Sequence, residues 1–92
     1  MAGGWLIGVM VEADGAPPVR HYYAVGHEEQ AKAEWTAVDL ALRIGGVAAS
    51  PVAGQEPVQA IRRIPPQRMS VLGLAPGETQ SLGWKHPRRW LA

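Results

Sequence analysis

The 92-residue sequence predicts an α+β fold: a small antiparallel sheet in the order β-β-α-β, packed on one main helix and followed by a short helix and a possible last strand. Three observations carry this prediction. Trp5 to Glu12 is apolar on both sides of an alternating run. Asp14-Gly15 and Pro17-Pro18 then separate it from a second alternating run, Val19 to Val25. Finally, Glu28 to Ile44 repeats its apolar residues at helical spacing.

The first strand places Trp5, Ile7, Val9 and Val11 on one face and Leu6, Gly8 and Met10 on the other. With both faces apolar, it is expected to be covered on both sides or to lie in an interface. Ala13 to Pro18 reads as a turn somewhat longer than a tight hairpin loop. Val19 to Val25 then supplies the antiparallel partner, with His21 and Tyr23 on one side and Tyr22 and Ala24 on the other.

Glu28 to Ile44 carries two apolar stripes. Ala31, Trp35, Val38 and Leu42 form one, at i, i+4, i+7 and i+11, and Ala33, Ala37, Leu40 and Ile44 form the other. Together they leave an apolar arc of roughly 220°, broken by Gln30 and Glu34, which is more than one sheet covers. Trp35, Val38 and Leu42 are expected on the sheet. Ala33, Ala37, Leu40 and Ile44 are then the candidate interface, met by a later segment or by a second copy. Glu28 and Glu29 suit the positive end of the helix dipole and Arg43 the negative end. Glu28 with Lys32 and Asp39 with Arg43 stand at i, i+4, and Gly45-Gly46 offers a left-handed close.

Val47 to Pro57, rich in Ala, Gly, Ser and Pro, has no period and reads as a mobile loop. Gln59 to Ile64 returns as a third strand, stopped by Pro65-Pro66. A short helix over Gln67 to Leu72 turns Met69 and Leu72 inward and closes at Gly73. After the turn Ala75-Pro76-Gly77-Glu78, Thr79 to Trp84 adds the possible last strand. Residues 1–84 therefore form one domain, and 85–92 a basic and aromatic C-terminal tail.

Hydrophobic residues make up 47% of the chain, enough for a packed core without staples. The chain has no cysteine, which excludes disulfides, zinc ribbons and thiol chemistry. Trp5 to Val11 has no basic flank before it and acidic residues after it, so it does not read as a signal peptide. No run approaches the ~18 apolar residues of a membrane span. A soluble, cytoplasmic protein without membrane contact is expected.

A net charge of +1 conceals a division of the chain. Residues 1–56 carry three basic against seven acidic side chains, and residues 57–92 carry six against one. Such asymmetry suits attraction between halves, between copies, or toward an acidic partner, though exposed charges often do no more than solvate a surface.

Catalytic constellations are missing from the pattern. His21, His27 and His86 are the acid–base candidates near neutral pH, but no second histidine falls at i+4 from His27, and no serine has a recognisable triad spacing. Gly3-Gly4 precedes a strand instead of following one, and no phosphate-loop lysine occurs. Neither a metal nor a cofactor is expected. The one segment with recognition character is Trp84-Lys85-His86-Pro87-Arg88-Arg89-Trp90, where fixed positive charge alternates with indoles able to stack. Its Trp84, Lys85, His86, Arg88, Arg89 and Trp90, joined by Arg62 and Arg63, form the candidate partner-binding set. The reading is a noncatalytic homodimeric or protein-binding module. The alternative is a nucleic-acid-binding accessory protein using the basic half of the chain, Arg68 included.

Overall fold

A computed structural model of the chain describes residues 3–91. It contains β1 (Gly4–Ala13), β2 (Ala16–Val25), α1 (Gln30–Ala41), β3 (Val58–Ile64), α2 (Pro66–Leu72), β4 (Thr79–Gly83) and α3 (Arg88–Leu91). The four strands form one open antiparallel sheet in the order β3-β1-β2-β4. This is the α+β class the sequence predicts, with one main helix against the sheet.

β1 is interior to the sheet, and its two apolar faces each meet a separate core. Ile7, Val9 and Val11 join Tyr23 and Val25 of β2 under α1. On the opposite face Leu6 and Ala24 join Ile64, Met69, Leu72, Leu74 and Trp90, so α2 and α3 cover the side away from α1. An antiparallel strand with one solvated face would alternate polar and apolar residues; from Leu6 to Val11 β1 does not, because both of its faces are buried there.

The β1–β2 hairpin is tighter than expected. Ala13 pairs with Ala16, leaving Asp14-Gly15 as a two-residue turn with Gly15 at φ 67°. Val11 pairs with Val19, so Pro17 and Pro18 stand opposite Glu12 in a bulge. There their lack of an N–H donor breaks no regular ladder bond, and the prolines belong to the strand and not to the loop.

α1 is shorter than the apolar repeat and lies the other way round. Glu28 and Glu29 precede it and Arg43 follows it, so the expected i, i+4 pairs do not form; Glu28 meets Arg63 at 3.2 Å instead. The Trp5 indole N–H donates to the Glu28 carbonyl at 2.8 Å and ties the entry of the helix to β1. At the other end, Ile44 N–H to Ala41 carbonyl (2.9 Å) and Gly45 N–H to Ala41 carbonyl (3.1 Å) tighten the last turn. Gly45 and Gly46 are not left-handed. Their role is close approach, since a Cβ on Gly46 would sit 2.6 Å from the Glu12 carboxylate.

The side facing the sheet is Ala33, Ala37 and Ala41, all fully buried, with Leu40 half-buried beside them. Trp35, Val38 and Leu42 therefore do not pack on the sheet as expected. The reason is space: Ile7, Val9, Tyr23 and Val25 already fill this face of the sheet, and the alanine row lets the helix close directly on it.

Residues 47–57 are also more structured than their composition suggests. β3 stops pairing with β1 at Val9↔Val58, and the connection takes over the edge of β1 beyond that point. Glu12 N–H donates to the Gly46 carbonyl (2.7 Å), Ala48 N–H to Met10 (3.0 Å) and Met10 N–H to Pro57 (2.8 Å). The short helix α2 begins with Pro66 in its first turn and closes at Gly73, φ 76°, as expected.

Candidate interaction surfaces

Three surfaces stand out once the fold is assembled. The first is the outer side of α1. Trp35 is 70% exposed and Leu42 56%, with Val38 half-buried between them and Ala31 exposed at the start of the stripe. Beside this stripe, Glu34, Trp35 and Val38 share a shallow groove with Val58 of the edge strand β3. The interface residues expected from the sequence are thus exchanged with the core residues: Ala33 and Ala37 are sealed against the sheet, Leu40 is half-buried, and only Ile44 is open. Large apolar side chains left outside on a helix mark an interaction surface more strongly than small ones.

The second surface is basic. Arg62, Arg63 and Arg68, from β3 and α2, line a groove of about 270 Å³ with Ile64, Pro65 and Trp90. Chain segments remote in sequence meet here because α3 returns to the β3–α2 corner. An Arg62 Nη donates to the Leu91 carbonyl, and Arg68 Nη2 donates to the Arg89 carbonyl at 3.0 Å. These bonds satisfy carbonyls at the end of a helix, where no intrahelical donor exists. Arg63 is held by Glu28 in an exposed pair, which contributes little to stability.

The expected recognition segment is divided by this docking. Trp90 is 7% exposed and belongs to the core shared with Leu6 and Met69, so its indole anchors α3 and is not available to stack on a partner. Arg88 and Arg89 remain exposed on α3. Trp84 lies elsewhere, 62% exposed, with the Lys85 ammonium 5.9 Å from its ring centre. His86 is exposed, and its carbonyl accepts the Arg88 N–H at 2.9 Å.

The third surface is a wide cleft of about 960 Å³ at the hairpin end of the sheet, where Glu12, Asp14, Val19, His21, Ile44 and Trp84 converge. His21 is among the residues that line it. His27 lies between β2 and α1, and His86 between β4 and α3, so the three histidines do not assemble. Among the described residues no group of three or more His, Asp or Glu side chains is placed to hold a metal ion, and no helix is long and apolar enough to cross a membrane.

Sequence reasoning missed Arg20. From β2 its guanidinium crosses Gly8 of β1 and donates to Gln59 Oε1 of β3 at 2.5 Å, while lying 5.6 Å from the Tyr22 ring centre. A side chain at Gly8 would block that path, and the glycine in an otherwise bulky strand was the available signal. Tyr23 carries no functional signal in the sequence beyond its place in the strand. Its buried hydroxyl has no partner among the described residues, and burial pushes the phenol above its ordinary value near 10.

No protein-family model, curated protein or solved structure matches the chain.

Proposed function

We propose that this protein is a noncatalytic binding module whose working surface is the outer side of α1. The observation that carries the reading is the exposure of Trp35 and Leu42 on one helical stripe, in a helix already anchored to its own sheet by the opposite, alanine side. Nothing in the packing of the domain requires an indole at that position. A large rigid aromatic beside a leucine is what a protein–protein contact uses as its centre. The dispersal of His21, His27 and His86 over separate elements agrees with a role in binding instead of catalysis. The absence of cysteine fits a reducing cytoplasm.

Chemical cross-linking in cells, comparing wild type with Trp35→Glu, tests this directly. Adducts that map to α1 and disappear in the variant are expected. Adducts confined to other surfaces, or insensitive to the substitution, overturn the reading.

A second reading has one specific observation behind it, the convergence of Arg62, Arg63 and Arg68 on a single groove. Under it the basic corner binds a nucleic-acid backbone, with Arg88 and Arg89 extending the positive surface. Retention of a labelled oligonucleotide that falls steeply with salt and is lost in Arg88→Ala/Arg89→Ala supports it; salt-insensitive or absent retention removes it.

A further inference from the structure

Resting on the reading of α1 as the binding surface, we infer that its occupant is a second copy of this chain, docked through an antiparallel α1–α1 pair. The stripe Ala31, Trp35, Val38 and Leu42 advances by four, three and four residues, the spacing of a coiled-coil seam. It also reads the same in reverse. Turning the helix end for end places Trp35 on the partner's Val38, and Leu42 on the partner's Ala31, with the same two contacts repeated across the axis. A twofold interface needs this self-complementarity, because each residue must meet in its partner what the partner meets in it.

Charge follows the same symmetry. On the side of the stripe away from Glu34 and β3, Lys32 and Asp39 are both exposed, and the charged group of neither is paired among the described residues. They are one heptad apart, so the reversal that seats Trp35 sets Lys32 against the partner's Asp39, and Asp39 against the partner's Lys32. A parallel pair would instead bring Asp39 to the partner's Glu34, a like-charge contact. On the opposite side, the groove shared by Trp35, Val38 and Val58 continues the apolar surface to the edge strand. β3 is the outermost strand there, and among the described residues no strand pairs with its outer edge, which the same partner can cover.

The area is adequate for a modest dimer. A Trp buries about 150–250 Å² when covered. Trp35 at 70% exposure with Leu42, Val38 and Ala31 therefore gives on the order of 350 Å² of apolar surface per copy. With the flanking polar residues the total lies near 1,000 Å², roughly the lower limit for a specific interface. So small an interface belongs to weak association, with Kd on the order of 100 µM.

Sedimentation equilibrium from about 5 to 500 µM tests the pairing, because dimer population follows concentration by mass action. The average mass should climb from 9.9 kDa toward twice that value. Trp35→Glu should stay monomeric over the whole range while melting at the wild-type temperature when dilute, since the side chain is exposed in the single copy. Lys32→Asp and Asp39→Lys should each weaken the dimer by roughly five- to tenfold, and the two together should restore it. A wild-type chain that remains monomeric, a dimer that survives Trp35→Glu, or charge exchanges that fail to rescue one another overturns the antiparallel pairing. If wild type stays monomeric but Trp35→Glu loses an α1 cross-link to another protein, self-pairing falls and the binding surface stands. If Trp35→Glu changes neither, both fall.

Discussion

The two sides of α1 are built from opposite materials. The inner side is Ala33, Ala37 and Ala41, sealed against Ile7, Val9 and Tyr23; the outer side carries Trp35 and Leu42, both largely exposed. By bulk hydrophobicity alone the outer side would be chosen for the core. The contrast teaches that the size of an apolar side chain does not decide which way a helix faces. The sheet supplies the volume on this face, so the helix must supply closeness, and alanine allows the nearest approach. The largest side chains are then left over, and their presence outside points to a contact beyond the monomer.

Substitutions at this boundary should separate the two sides by the size of their effects. Ile7→Ala, which empties a fully buried position beneath the alanine row, should cost about 2 to 5 kcal/mol in a denaturant titration. A loss under about 1 kcal/mol would mean that the helix settles into the space and the packing is looser than described. Ala37→Leu should cost about 1 to 3 kcal/mol, because the added atoms have nowhere to go between helix and sheet. If it instead stabilises the fold, the inner side is not closely packed.

A smaller effect is expected at Tyr23, across from the alanine row. Its phenol ionises at higher pH in the folded state than in the unfolded chain. Stability from this group is therefore present below the unfolded value near 10 and declines as pH rises above it, because the unfolded state then releases the proton first. Tyr23→Phe should flatten that alkaline decline in pH-dependent melting curves. At neutral pH it should leave stability within about 1 kcal/mol of wild type or raise it, since no hydrogen bond is lost. Smallest of all, Trp35→Ala and Leu42→Ala should each change the stability of the dilute monomer by less than about half a kcal/mol. A cost near that of Ile7→Ala would return the outer stripe to the core.

Much of this fold was legible in the residues. β1 announced its two-sided burial by having no polar face, and Gly73 and Pro66 bounded α2 through their own backbone requirements. The facing of α1 was not legible, because the two stripes are comparable in helical spacing and the deciding quantity, the volume contributed by the sheet, belongs to other strands. Pro17-Pro18 misled for a related reason: a bulge opposite Glu12 tolerates prolines that a regular ladder rejects. The candidate sites divide in the same way. Arg62, Arg63 and Arg88 were nameable by type, but the docking of α3 that buries Trp90 and leaves Trp84 outside depends on contacts among segments distant in sequence. The outer stripe was visible as a pattern and assigned to the wrong environment.

Solvent paramagnetic relaxation of the Trp35 indole proton, followed through dilution, tests the central claim most directly. In a dilute sample of about 10 µM, where a dimer with Kd on the order of 100 µM is largely dissociated, the indole should relax strongly, and in a sample near 1 mM it should be shielded. The methyls of Ala33, Ala37 and Ala41 should be shielded at both concentrations. An indole equally exposed at both would contradict the claim that the outer side of α1 is where this chain meets another copy of itself.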